Sequence, residues 1–234
     1  AIPETLVEAG AKKALQDMSD YLKAAKSYSF HAEVAYDDVL PSGQKIAFAA
    51  SADLSLRRPN GLHAAQSSDT GARRLWYDGK TLTLFDPVKN TYAEEALTGN
   101  TDQALEHMIN ILHFTPPLSD FLHEDPARAL GKQTRFGFEV GTSEVAGVAC
   151  RHFAFVDKLI DWQIWIEDGK VPLPRKLVIT YKTLPSSPQY AATLTDWDFT
   201  TRLPDTLFAA RVPASAIRIP FMKTGQATPA PAAK

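Results

Sequence analysis

Apolar residues along this chain change their period several times, and each change marks an element. Between positions 4 and 25, Val7, Ala11, Ala14, Leu15, Met18, Tyr21, Leu22 and Ala25 recur at helical spacing and form one stripe. An amphipathic helix is expected there, with Pro3 in its first turn. From Phe30 the period becomes two. Phe30, Ala32, Val34 and Tyr36 share one strand face, and Ala50, Ala52, Leu54 and Leu56 share another, alternating with Ser51, Asp53 and Ser55. Pro41-Ser42-Gly43 supplies a turn between the two strands, and Pro59-Asn60-Gly61 closes the second. The stretch from Arg74 to Phe85 is the clearest hairpin, because Asp78-Gly79 suits a two-residue turn whose twist matches its flanking strands. Asp86-Pro87 ends its second arm, and Thr91-Tyr92 begins another extended piece.

The helical period returns over 101–114, where Ala104, Leu105, Met108, Ile111 and Leu112 form a stripe. Asn100 or Thr101 is placed to cap it, and Pro116-Pro117 stops it. A second short helix is expected after Ser119, and a third from Asp125-Pro126 with Gly131 just past its end. Strand patterns then resume at 134–141, 150–157, 159–167, 175–182, 191–201 and 207–212, with Asp168-Gly169 as a further tight hairpin turn. The pattern reads as α+β: one large antiparallel sheet packed against an N-terminal helix and a central helical insertion, 101–131. A sheet of that size curls and acquires a concave face. With no composition break, residues 1–224 are expected to form one domain, followed by an Ala/Pro-rich tail, 225–234.

Composition narrows the functional classes. Of 234 residues, 44% are hydrophobic and 22% charged, so the chain can bury a sizeable core. A net charge of −2 without a basic run argues against nucleic acid as a partner. No apolar stretch approaches the length of a transmembrane helix. The single cysteine, Cys150, excludes an intrachain disulfide and any CxxC motif. Ala1 stands where a methionine would, which leads to the expectation that a signal peptide or a fusion segment has been removed.

Motifs that carry chemistry are scarce. Nucleophile-elbow, zincin, phosphate-loop, dinucleotide and EF-hand patterns are all missing, and no metal or cofactor is expected. His123-Glu124-Asp125 offers metal-ligating groups, but adjacent residues seldom converge on one ion, and Asp125 is placed to cap a helix. Cys150 and His152 share a strand face, as do Asp196 and Asp198; such pairs serve nucleophilic or acid–base chemistry only if a cavity brings a substrate to them. The adjacent Arg57 and Arg58 point to opposite faces of a strand, so one of them turns toward the packed side. There it either snorkels to the rim or donates to backbone carbonyls of the covering helices.

Several of these residues together resemble a known family. Leu56-Arg57-Arg58-Pro59-Asn60 is followed by Asp78-Gly79-Lys80-Thr81-Leu82, an apolar strand and Asp86-Pro87. Ser27-Tyr28-Ser29-Phe30-His31-Ala32 precedes them, and Leu207-Phe208-Ala209 to Val212-Pro213 and Ile219 closes the series in the same order. This resembles the periplasmic lipoprotein-carrier (LolA/LolB-like) group, and more closely a branch of exported bacterial proteins related to it. The resemblance implies an incomplete antiparallel barrel of about eleven strands closed by helices, with an apolar cavity between them for acyl chains. It implies a periplasmic location and lipid or an acylated protein as partner, with another envelope protein as a further possibility. The arginine of the carrier motif that holds the helical cover shut matches Arg58.

If a cavity lies there, its wall is expected to include Leu54, Leu56, Leu75, Leu82, Leu84, Met108, Ile111, Leu112, Trp162, Ile164, Leu177 and Ile179. The same residues would equally suit a dry core. Three functional readings follow: a non-enzymatic carrier of a lipid-like ligand, an interaction or sensor module of the cell envelope on the same fold, and an enzyme using a pocket at the sheet mouth.

Overall fold

A computed structural model describes residues 6–221 of the chain. In chain order the elements are β1 (Leu6–Val7), α1 (Ala9–Ala24), β2 (Ser27–Val39), β3 (Lys45–Arg57), β4 (Gly61–Ser68), β5 (Gly71–Tyr77), β6 (Thr81–Asp86) and β7 (Thr91–Ala96). They continue with α2 (Thr101–Asn110), a 3-10 turn (Ser119–Phe121), α3 (Pro126–Gly131), β8 (Phe136–Val145), β9 (Val148–Val156), β10 (Ile160–Glu167), β11 (Pro174–Tyr181), β12 (Gln189–Asp198), α4 (Asp205–Phe208) and β13 (Ile217–Arg218).

All thirteen strands belong to one unclosed sheet. Eleven longer strands run antiparallel in the order β8-β9-β10-β11-β12-β2-β3-β4-β5-β6-β7, and the two-residue β1 and β13 add in parallel at opposite edges. The architecture is thus the curved, incomplete barrel that the sequence implied. Two meanders, β2 to β7 and β8 to β12, join through the β12–β2 pairing, in which Ala192 faces Val34 and Leu194 faces Ala32. That pairing places a late strand in the middle of the sheet, between β11 and β2.

The strand periods set which face is packed. Phe30, Ala32 and Val34 of β2, and Ala50, Ala52, Leu54 and Leu56 of β3, are buried, while their alternating neighbours reach solvent. The helix stripe of α1 meets this face through Ala11, Ala14, Leu15, Met18 and Leu22. The cover from 101 to 131 adds Ala104, Leu105, Met108, Leu118, Phe121 and Leu122 to the same core. Each fully buried large side chain contributes about 1.5–3 kcal/mol, so this layer holds the cover down without any single dominant contact.

Local chemistry explains where elements begin and end, and it corrects five expectations. The helix expected over 101–114 ends at Asn110, before the prolines are reached. The first helix starts at Ala9; Leu6–Val7 is captured by β8 as a strand instead, and residues 1–5 lie outside the described residues. The β5–β6 turn is longer than two residues: only Gly79 takes a positive φ, +89°, and the Asp78 carboxylate accepts from the amides of Lys80 and Thr81. The β10–β11 connection spans 168–173, closed by the Glu167 amide on the Leu173 carbonyl, rather than a tight Asp-Gly hairpin. The stretch at 207–212 is not a strand; α4 forms there and buries Phe208. The proposed tail at 225–234 lies outside the described residues. No helix among the described residues is long and apolar enough to cross a membrane.

Candidate functional site

The cover is a chain of short turns, broken for identifiable reasons. Asn100 caps α2 in a reciprocal box: its side chain accepts from the Gln103 amide, and the Gln103 side chain accepts from the Asn100 amide. His113 and Leu118 both adopt left-handed backbone, φ +50° and +52°, on either side of Pro116-Pro117. No helix passes through such a segment. Asp125 then caps α3 by accepting from the Arg128 amide, with Pro126 at the first helical position.

Directional polar contacts tie these turns to the rest of the molecule. The Arg58 guanidinium donates through Nη2 to the His123 carbonyl at 3.4 Å. Tyr28 donates its hydroxyl to the Phe121 carbonyl at 2.5 Å, and burial raises its pKa further above the usual phenol range. The Thr101 amide and hydroxyl both reach the Pro59 carbonyl, at 2.8 and 3.0 Å. From α1, the Ser19 hydroxyl donates to Asp125 and accepts from the Ala127 amide. Inside the cover, Asp102 accepts from the Glu124 amide at 2.9 Å and faces His123. Burial pushes the Asp102 carboxyl up, but His123, the Glu124 amide and Arg58 outweigh it and hold the pKa below its ordinary value.

The two arginines divide as strand alternation requires. Arg57 turns to the outer face, donates to the Leu203 carbonyl at 2.8 Å, pairs with Asp205 at 2.6 Å and lies over the Phe208 ring. Arg58 turns under the cover. Its Nη2 reaches His123, while its buried Nε has no hydrogen-bond partner.

Of the twelve candidate wall residues, Leu54, Leu56, Leu75, Leu82, Met108, Leu112, Trp162, Ile164 and Leu177 lie in one buried cluster between sheet and cover. Leu84 and Ile179 pack partly buried against it. Ile111 does not join them: it ends α2 with its side chain outward, 43% exposed. In this closed arrangement the protein's own side chains meet across the concave face. Trp162, Leu177 and Ile179 do line open space, a pocket of about 280 Å³ between α3 and the β10–β11 strands. Leu130, Leu159 and Ile160 complete its apolar wall, and Asp120, Lys132, Gln133 and Asp157 edge it. The Trp162 indole is braced by the Phe155 ring, stacked at 4.1 Å and 15°.

One polar cluster beside this pocket carries no sequence motif. Asp157 is buried, and its backbone carbonyl accepts from the Lys182 ammonium at 2.7 Å. The buried Thr134 hydroxyl and Trp162 indole N–H lie beside its carboxyl as hydrogen-bond donors. Burial pushes the Asp157 carboxyl up, opposed by Thr134, Trp162 and Lys182 beside it. Asp120, on the cover side, is likewise raised by burial. A lone Asp between Val156 and Lys158 gave no signal for this, because its burial depends on strands and helices distant in sequence.

The remaining candidates for chemistry are occupied elsewhere. Cys150 is buried, its pKa raised by that burial, and its thiol faces the Val148 carbonyl. His152 stacks on Trp165 at 3.9 Å and pairs with Gln163, so the two do not form a nucleophile–base pair. A bulge at Asp196, φ +53°, interrupts the strand face expected to carry Asp196 and Asp198 together. Asp198 instead accepts from the Thr200 and Thr201 amides in a turn. Asp161 pairs with Lys182. No group of metal-ligating side chains occurs among the described residues.

Comparisons add the following. A family model described as "Predicted periplasmic protein (DUF2092)" matches residues 11–222. A search of curated proteins finds no match. Among solved structures the chain is similar to LprF from Mycobacterium bovis, at 14% identity and a TM-score of 0.49, covering 86% of this chain and 98% of that one. It is similar to the lipoprotein LppX of Mycobacterium tuberculosis at 15% identity and a TM-score of 0.48, covering 82% and 97%. It is also similar to a putative outer membrane lipoprotein-sorting protein domain from Vibrio parahaemolyticus, at 8% identity and a TM-score of 0.38, covering 85% and 96%. None of the three is similar enough to carry an activity across.

Proposed function

The chain belongs to the DUF2092 family of predicted periplasmic proteins, and from that premise we propose that it is a non-enzymatic carrier of a lipid-like acyl ligand, held between the curved sheet and the 101–131 cover. The observation that supports this reading is the pocket of about 280 Å³ under α3, apolar in its wall and polar at its edge. That volume is near the lower end of ligand pockets, which run from about 300 Å³. It suits one short chain with the cover closed. A longer chain requires the cover to lift, which breaks its hydrogen bonds to backbone carbonyls and opens the apolar layer beneath it for the ligand to fill. Each buried methylene contributes about 0.8 kcal/mol, so about ten would give roughly 8 kcal/mol before the costs of binding. In this reading Arg58 acts as the latch: its bond to His123 favours the closed cover, and the buried wall residues become ligand contacts when it opens.

The test is direct. Lipid-stripped protein is titrated with a fluorescent acyl probe, and the protein as purified is examined by native mass spectrometry. Saturable binding or a co-purified lipid is expected; absence of both would overturn the carrier reading.

The interaction-module reading has its own observation. Leu6, Phe136, Val140 and Val156 are exposed around β8, where register places Phe136 against both Leu6 and Val156. An apolar stripe on a sheet edge suits an envelope partner. Loss of partner capture on Phe136→Ser, with acyl binding intact, would favour this reading.

A further inference from the structure

We propose that the outer face of β4–β5 carries a second binding site, separate from the acyl pocket, for a small molecule that bears a carboxylate or phosphate on an apolar body.

Strand alternation builds the floor of this site. Leu62 and Ala64 of β4, and Leu75 and Tyr77 of β5, belong to the core cluster under the cover. Their neighbours His63, Ala65, Arg74 and Trp76 therefore stand on the opposite face. Register sets His63 beside Trp76 and Ala65 beside Arg74. The segment around α4 supplies the other wall: Pro204, Thr206, Leu207 and Arg211 enclose with that floor a pocket of about 360 Å³. Two contacts fix α4 there, Phe208 buried against Gly61 and Asp205 held by Arg57 at 2.6 Å. The volume lies within the range of small-molecule pockets, about 300–1,000 Å³.

The charge of the pocket is one-sided. Arg74 and Arg211 both line it, and neither has an acidic partner among the described residues. Arg211 reaches only the Thr206 carbonyl, at 3.5 Å, which leaves most of its five N–H donors open. No carboxylate is part of the wall. The acids close by are engaged: Asp205 by Arg57, and Asp53, which acts on His63 from β3, by His31 at 2.8 Å. His63 is half-buried, and burial together with Arg74 holds its pKa below the ordinary imidazole value, so near neutral pH its ring is an uncharged hydrogen-bonding group.

The chemistry of the guest follows from these two halves. A guanidinium fork matches the planar pair of oxygens on a carboxylate and the oxygens of a phosphate. Ala65, Leu207, Pro204 and the Trp76 ring add hydrocarbon beside the charges. A bare hydrated ion gains nothing from that wall, whereas an acid on an apolar body uses both halves. The pocket is what separates this pair from a solvated arginine such as the exposed Arg202.

The experiment uses three ligands that share a ring and differ in charge: phenyl phosphate, benzoate and benzyl alcohol. Each is titrated into the full chain near neutral pH at low salt, with amide NMR shifts reporting where it binds. The two anions are expected to saturate with shifts centred on 63–76 and 204–211, at least about tenfold more tightly than benzyl alcohol, and to weaken as salt is raised. Binding of only one anion supports the site and identifies the acid it takes. Arg74→Gln and Arg211→Gln change exposed side chains, and each is expected to weaken anion binding about tenfold. Arg202→Gln, outside the pocket, is expected to leave it within about twofold. The His63 pKa, read from its ring protons, is expected to rise on saturation, because a bound anion offsets Arg74. No saturable binding of either anion, equal affinity for benzyl alcohol, shifts centred on β10–β11, or anion affinity unmoved by both pocket variants would overturn the proposal. None of these outcomes bears on the carrier reading, which the acyl-probe titration tests by itself.

Discussion

Arg57 and Arg58 carry the same guanidinium one position apart in the chain. Strand alternation sends one outward to Asp205 and Phe208 and the other inward to the His123 carbonyl. A hydrogen bond from a charged donor is worth about 1.5–3 kcal/mol when partly buried. Arg58→Met keeps the apolar stem and removes the donor, so amide exchange measured by mass spectrometry is expected to accelerate in 118–131, with little change in β9–β10. Unchanged exchange in the cover would remove Arg58 from the latch. Asp102 acts at the same place with a defined pH sign. Its folded pKa is lowered, so its contribution to stability is complete above the unfolded value of about 3.9 and is lost as pH falls through the folded value. The stability gap between wild type and Asp102→Asn, from thermal melts, is therefore expected to narrow steadily as pH drops below about 4. The opposite alternation of the arginines was legible in the sequence. Which carbonyl the inner one meets was not, because His123 is 65 residues away and comes near only through the cover.

Elements with their own local chemistry were the easiest to read. The Asn100 cap and Asp125-Pro126 at the start of α3 are present, whereas α2 ends at Asn110, ahead of the Pro116-Pro117 pair expected to stop it. Each depends on neighbours within four residues, which the sequence specifies outright. Asn100→Ala removes one side of the capping box, and a loss of about 1 kcal/mol is expected from urea denaturation. A loss near zero would mean that the Thr101 contacts to Pro59 alone hold the start of α2. The misread element, α4, is four residues long, too short for periods of two and of 3.6 to be told apart. What decides it is tertiary: Phe208 is buried where Gly61 leaves room for its ring, with Arg57 stacked above. The β5–β6 turn was misread for the converse reason. Asp78 prefers to bond its carboxylate to the following amides rather than adopt positive φ, and this lengthens the loop.

At the scale of the whole molecule, the pocket depends on contacts no single element contains. Gly137 of β8 pairs with Phe155 of β9 and with Val7 of β1, and a Cβ there would fall into the Phe155 ring. That ring braces Trp162, which walls the pocket. Gly137→Ala is expected to cost about 1–3 kcal/mol by overpacking and to weaken acyl binding as Trp162 shifts. Denaturation and probe titration on one variant check both, and full stability with unchanged binding would show that the stack yields freely. The sequence by itself determined the periods of the strands, the caps and breaks of the cover, and the dearth of catalytic motifs, because alternation, capping and motif spacing are set by residues close together in the chain. Only the tertiary structure decided that β12 closes onto β2, that Ile111 faces outward, and that Asp157, Thr134 and Trp162 meet beside a small apolar pocket. Those outcomes turn on burial, and burial belongs to the packing of distant segments rather than to any stretch of sequence.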